Sequence, residues 1–319
     1  MELVSLARNP IPSGAVVGQF KGYDGAPLRF ARWEATRSPR RGTIVLFEGR
    51  GEFIEKYFEV IADLRRRGFA VAIHDWRGQG GSHRLLANRN KGHIRDFSQY
   101  DRDITRFMKE VVLPDCPPPY IALAHSMGGN ILLRNSVVPG SWFERMVLCA
   151  PMLDLSRDKI PVPHGLARFY VEVMSACGAS TWYVPGGYAT PAEAGPFAQN
   201  SLTSDEERFA RYRQVVEAAP ALGLGSPTIG WLRAAYRSNR MLMRPDFAAR
   251  VRVPLLLASA SADTIVSSLA IEEFASRLRM GAHVTIAPSR HEILQERDDI
   301  RARFWAAFDA YLGVSAAVA

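Results

Sequence analysis

The sequence predicts an α/β fold: a mostly parallel central sheet with helices on both faces and an inserted helical cap. Three observations carry that expectation. Short apolar runs of strand length alternate with stretches of helical spacing, the rhythm of a parallel sheet covered on both sides. The rhythm breaks at Pro151 and resumes at Val253, an interval too long for a structureless connection. At residues 120–130, YIALAHSMGGN, an apolar run passes into a helical pattern across a tight turn of small residues.

In chain order, residues 18–35 alternate on either side of Asp24-Gly25 and predict an antiparallel hairpin. Residues 43–47 (TIVLF) are a short buried strand. A helix follows over 53–67, with Ile54, Tyr57, Val60, Ile61 and Leu64 on one face and Gly68 at its end. Residues 69–74 are the next strand and 97–112 a helix; Pro117 to Pro119 then lead into the strand at Tyr120. Another strand covers 146–149. Within the long interval, helices are expected over 166–176, 207–218 and 229–237. The sheet resumes with a strand at 254–258, a helix at 268–280, a strand at 283–287 and a closing helix at 300–312. The domain reading is a core of residues 15–151 and 252–315, with residues 152–251 as the cap.

The chain has 319 residues, 47% hydrophobic and 23% charged, which describes a soluble globular protein able to bury a sizeable core. Its net charge of +8 comes from scattered Arg, with Arg65-Arg66-Arg67 at a helix end, where cations are favourable. No basic stripe interleaved with aromatics is present, so a nucleic-acid partner is not expected. The positive charge suits peripheral contact with anionic membrane lipids. Cys116, Cys149 and Cys177 are widely spaced without CxxC, against a disulfide framework or a zinc site and in keeping with a reducing compartment. No apolar stretch reaches signal-peptide or membrane-spanning length, so the expectation is a cytoplasmic protein, at most peripheral at the inner membrane face.

In an open parallel sheet, ligands sit outside the carboxyl ends of the strands, and the residues able to do chemistry fall there. Ser126 lies in A-H-S-M-G, one methyl away from the Gly-x-Ser-x-Gly of a nucleophile elbow, with Ala124 at the first small position. Asp263 follows the strand at 254–258, and His291 follows the strand at 283–287. The order Ser, Asp, His is that of the α/β-hydrolases. A serine hydroxyl needs a base to take its proton, and the base needs an acid to fix its tautomer and stabilise the imidazolium. Asp154, after the strand at 146–149, is a competing acid, with Asp263 preferred. His125 reads as structural and His74 as a buried strand residue; His93, His164 and His283 show no partner in the pattern. HEILQ lacks the second His of a zinc helix, and neither metal nor cofactor is expected. The developing oxyanion needs two N–H donors. Met127, next to the nucleophile, supplies one, and Arg50 in Glu48-Gly49-Arg50-Gly51 is placed for the other. The Gly-rich stretch 75–82 is expected to shape the floor of the site, with Arg77 outside the chemistry.

The pieces LFEGRGEFIEKY, DWRGQGGS, KGHIRDFSQYDRDI, AHSMGGN, SADTIV and RHEILQE resemble the monoacylglycerol-lipase and bacterial lysophospholipase branch of the α/β-hydrolases, which is grouped with serine aminopeptidases. NSLTSDEERF and GSPTIGWLRAA resemble the lysophospholipases in particular, and the matches run from about Val17 to Leu312. The resemblance implies a serine hydrolase acting on a small-molecule acyl ester through an acyl-enzyme, with Ser126, Asp263 and His291 as triad and Arg50 and Met127 at the oxyanion hole. This chain departs from the family at Glu48, where His is frequent, and at Ala124, where Gly is frequent. Alternatives are a small-ester carboxylesterase or a proline-iminopeptidase-like aminopeptidase, which would need an acid such as Glu193, Asp205, Glu206 or Glu207 to grip a free amine. Those four read more simply as solvated helix-start charges. A non-catalytic binding protein of the same fold would ordinarily have lost a triad member. The Trp, Tyr and Leu of the cap predict an apolar underside and a walled pocket above Ser126.

Overall fold

A computed structural model describes residues 2–158, 160, 162–191 and 194–314. The chain opens with a hairpin, β1 (Val16–Lys21) and β2 (Pro27–Trp33), then runs through β3 (Thr43–Phe47), α1 (Phe58–Arg66) and β4 (Ala70–His74). Next come α2 (Ser98–Phe107), a short α3 (Leu113–Asp115), β5 (Tyr120–His125), α4 (Met127–Asn135) and β6 (Phe143–Cys149). Three longer helices, α5 (His164–Ala176), α6 (Glu206–Ala218) and α7 (Ile229–Leu242), stand between β6 and β7 (Leu255–Ala260). The chain closes with α8 (Ser268–Ala275), β8 (Gly281–Ile286) and α9 (Asp298–Leu312).

The eight strands form one sheet in the order β1-β2-β4-β3-β5-β6-β7-β8, with β2 antiparallel to both of its neighbours, β1 and β4, and every other pairing parallel. Side chains alternate between the faces of a strand, so a strand buried at every position is covered on both sides. β3, β4 and β7 are buried at every position, which is why their sequences are largely apolar, with Thr43, His74 and Ser259 as the buried polar exceptions. α1 buries Phe58, Val60, Ile61 and Leu64, and its Arg67 end pairs with Asp309 of α9 at 2.8 Å. α2 and α4 pack together on the other pairing, Asp101 with Arg134. This is the α/β-hydrolase architecture.

Three expected helices differ in detail. The helix expected over 53–67 opens as a 3-10 turn, Ile54–Tyr57, before α1 begins. The helix expected over 97–112 passes into a π turn at Met108–Val112. The helix expected to reach 280 stops at Ala275: Ser276 turns its hydroxyl back onto the Glu273 carbonyl at 2.8 Å, and the Arg277 and Leu278 amides bond three residues back. Met280 and Gly281 are then taken into pairing with β7.

The inserted helices are held unequally. α6 is tied to the core by Arg208, which reaches Glu59 and Asp298, each at 2.6 Å; Arg301 of α9 shares Glu59. α5 rests on α7 and buries only Ala167 and Val171, leaving Leu166, Phe169, Tyr170 and Val173 exposed. No helix among the described residues is long and apolar enough to cross a membrane.

Candidate active site

The turn between β5 and α4 places Ser126 at φ 48°, ψ −111°, a left-handed conformation that L side chains rarely adopt. Backbone bonds hold it there. The Ser126 N–H donates to the Cys149 carbonyl at 3.0 Å, and the Ser126 carbonyl accepts from Met152 at 3.0 Å and Asn130 at 3.1 Å. Gly128 is required on the helical side: a Cβ there would come within 2.6 Å of the Phe47 and Glu48 carbonyl oxygens. Ala124 lies inside the strand, opposite Phe47 and Leu148, and its methyl is buried there. The departure from Gly therefore costs nothing visible at the turn.

The three residues singled out from sequence meet above this turn. His291 Nε2 lies 3.0 Å from Ser126 Oγ, and its Nδ1 lies 2.7 Å from Asp263 Oδ2. The other Asp263 oxygen accepts from the Ile265 and Val266 amides at 2.8 and 3.0 Å. Burial alone would raise the Asp263 pKa, but the facing His291 and the two amides outweigh it and hold the carboxyl below its ordinary value. Asp154 stays apart from this chain. It pairs with His164 at 3.3 Å, and its carboxylate is 42% exposed.

Met127 is the first residue of α4, where an amide has no intrahelical acceptor and faces the positive end of the helix dipole. Arg50 sits in a loop held from the Gly-rich turn: the Gln79 side chain donates to the Gly49 and Glu52 carbonyls at 2.8 and 3.0 Å and accepts from the Gly51 amide at 3.1 Å. The Arg50 guanidinium reaches outward, donating to the Gly225 carbonyl at 2.7 Å and lying over the Trp231 ring. The floor expected of residues 75–82 thus acts through Gln79. Arg77 is locked by Asp24 and Asp103.

Sequence reasoning missed a buried charged cluster behind the triad. Glu52 accepts from the Gly49 amide, from the Tyr57 hydroxyl at 2.6 Å and from His125 Nδ1 at 3.2 Å. Lys56 donates to Glu292, the neighbour of His291, at 2.6 Å. The signal was present as three Glu and a Lys within EGRGEFIEK, but which partners they meet depends on the tertiary fold. Glu48, where His is frequent in the family that the sequence resembles, is fully buried. Burial, with Asp75 and Glu52 nearby, pushes its carboxyl well above the ordinary range.

Several expectations need correction. His93, His164 and His283 do have partners: Thr228 at 3.0 Å, Asp154 at 3.3 Å and Ser259 at 2.9 Å. Asp205 is no free helix-start charge. It caps α6 by accepting from the Arg208 amide and pairs with the Arg208 guanidinium at 2.7 Å. Glu206 and Glu207 are exposed, and Glu193 lies outside the described residues. A groove of about 1090 Å³ runs along Asp263 between the start of α5 and α8, lined by Leu155, Val162 and Leu269 as well as by Asp154 and His164. It flanks the triad beside Asp263; Ser126 is not part of its lining.

The chain is 32% identical over 297 residues to lysophospholipase L2 of Escherichia coli, covering 89% of this chain and 83% of that protein. It is 26% identical to the monoacylglycerol lipase of Mycolicibacterium smegmatis, covering 87% and 90%. A solved monoglyceride lipase from Saccharomyces cerevisiae superposes with a TM-score of 0.72 at 17% identity over 93% of this chain and 96% of that one, a likeness of fold. Residues 38–298, from before β3 to the start of α9, match the serine aminopeptidase S33 family of hydrolases, and with an elbow serine, a histidine and an aspartate joined in one hydrogen-bonded chain inside that span, the protein belongs to it.

Proposed function

We propose that this chain is a serine hydrolase of single-chain fatty acyl esters, lysophospholipids or monoacylglycerols, working through an acyl-enzyme. The observation that carries the reading is the continuous hydrogen-bonded chain from Ser126 through His291 to Asp263 behind a strained elbow. In the first half-reaction, Ser126 Oγ attacks the ester carbonyl carbon while His291 Nε2 takes its proton. The carbonyl oxygen becomes an oxyanion held by the Met127 and Arg50 N–H groups. Collapse breaks the bond to the alcohol, which leaves with the proton from His291. Water then attacks the acyl-serine by the same steps and releases the fatty acid. Asp263 stays ionised throughout and stabilises the imidazolium.

The names borne by its relatives support the substrate class. Residues 152–251 serve in this reading as a cap over the site. The aminopeptidase alternative loses support because Asp205 is occupied by Arg208 and by capping α6. Peripheral lipid contact is part of the proposal. Leu166, Phe169, Tyr170 and Val173 recur at helical spacing on the exposed side of α5, Arg168 is exposed beside them, and the chain carries net charge +8.

Each buried methylene contributes about 0.8 kcal/mol, so six added carbons contribute roughly 5 kcal/mol to binding, part of it retained in the transition state. kcat/KM should therefore rise with acyl length from acetyl to medium and long single-chain esters, and diacyl phospholipids should be poor substrates. A peak at acetyl esters, or aminoacyl amides outrunning every ester, would replace the lipid reading. Ser126→Ala should lower kcat by about 10⁶, and fluorophosphonate should label the wild type at Ser126 alone. Labelling elsewhere would move the nucleophile.

A further inference from the structure

We propose that His125 is a positioning residue of this site: a buried imidazolium that ties the backbone of the base loop at His291 to the Glu52 carboxylate, and through it to the oxyanion loop at Gly49. His125 Nδ1 faces the Glu52 carboxylate at 3.2 Å, and its Nε2 faces the His291 carbonyl oxygen at 3.2 Å. Both partners are acceptors only, so each contact requires a ring N–H, and a neutral imidazole carries just one. Doubly protonated, the ring satisfies both. Its side chain is 4% exposed, so the cation is held by the adjacent charge of Glu52.

The connection reaches both halves of the chemistry. Glu52 also accepts the Gly49 amide from the loop that contains Arg50. One carboxylate thus holds the oxyanion loop directly and the base loop through His125. The rings of His125 and His291 lie 4.7 Å apart between centroids. Other titratable groups acting on His125 are Lys56, beside Glu52, and Glu292 from the base loop. Burial disfavours the His125 cation, but Glu52, with help from Glu292 and against Lys56, raises its pKa above the ordinary value. The sign follows: the clamp is complete below that raised pKa and loses a donor as pH rises through it.

The inference rests on the serine-hydrolase reading, and its test separates the two. In enzyme labelled with ¹⁵N-histidine, held at a pH where free imidazole is neutral, His125 should show protonated nitrogens at both ring positions. Correlation to its own backbone identifies the signal, so the wild-type spectrum decides even if a variant fails to fold, and it does so without turnover. A neutral His125 ring there overturns the proposal. Kinetically, His125→Gln should lower kcat by about 10²-fold, the scale of a 1 Å misplacement, with KM little changed and the alkaline limb of the kcat profile displaced. Wild-type kcat with an unmoved alkaline limb in His125→Gln would equally overturn it. Fluorophosphonate labelling of Ser126 reports on the hydrolase reading alone.

Discussion

Two histidine–aspartate pairs stand at the ends of neighbouring strands, and they are built differently. Asp154 follows β6 and meets His164 at 3.3 Å with its carboxylate 42% exposed. Asp263 follows β7 and meets His291 at 2.7 Å with no exposure of its side chain. Asp263 also accepts two backbone amides, whereas the Asp154 carboxylate, among the described residues, accepts a single backbone amide, that of Leu155. The decisive difference lies at the second nitrogen. That of His291 reaches Ser126 Oγ, and that of His164 has no partner among the described residues. A pair of this kind does chemistry when burial makes its charge count and when the far nitrogen touches a nucleophile.

The sharpest way to break the comparison is to neutralise the buried acid. Asp263→Asn keeps the shape but presents an amide that favours the wrong His291 tautomer. Its kcat should fall by about 10⁴ with the fold intact by circular dichroism. Loss of less than tenfold would take Asp263 out of the chain and return the earlier strand end to consideration.

What could be read beforehand follows a physical division. Strands buried on both faces are largely apolar, so β3, β4 and β7 announce themselves despite Thr43, His74 and Ser259, and each chemical residue then falls just beyond a strand end. Side-chain partners do not announce themselves. Lys56 meets Glu292 across 236 residues and His93 meets Thr228 across 135, so no local pattern encodes either contact. The same holds for Gln79, which reads as one more polar residue of a Gly-rich turn until its amide is seen holding the loop around Arg50. The α8 end point was missed because Ser276 and the pairing of β8 with β7 stop the helix while its apolar spacing continues.

His74 extends the comparison to a histidine with no carboxylate partner. Its ring lies among Phe20, Phe47, Trp76 and Phe107, and neither nitrogen has a partner among the described residues. Burial is the main cause that lowers its pKa from 6.5 to about 3. Between those values the unfolded chain binds a proton that the folded chain refuses, so stability falls as pH falls through that window, by up to about 1.4 kcal/mol per pH unit. His74→Phe should flatten this acid limb. Urea unfolding from about pH 7 down to about pH 4 measures it, and an unchanged limb would mean that His74 is protonated in the folded state.

The smallest effect should come from Asp154→Asn, although the residue lies so close to the site. What Asp154 contributes to the acid loop passes through its backbone: its carbonyl accepts from the Ser267 amide at 3.0 Å, and Ser156 donates to the Ile265 carbonyl at 2.9 Å. Those bonds pin the turn whose Ile265 and Val266 amides hold Asp263. Asparagine leaves every one of them in place and can still accept from the Leu155 amide with its side-chain oxygen. All that is removed is the charge facing His164 in a half-exposed pair, a contribution of about 0–1 kcal/mol. Turnover should therefore stay within about threefold of wild type, with the unfolding midpoint nearly unchanged. A variant that instead lost activity on the scale of Asp263→Asn would show that the exposed pair takes part in proton transfer, and the distinction between the two strand ends would fail.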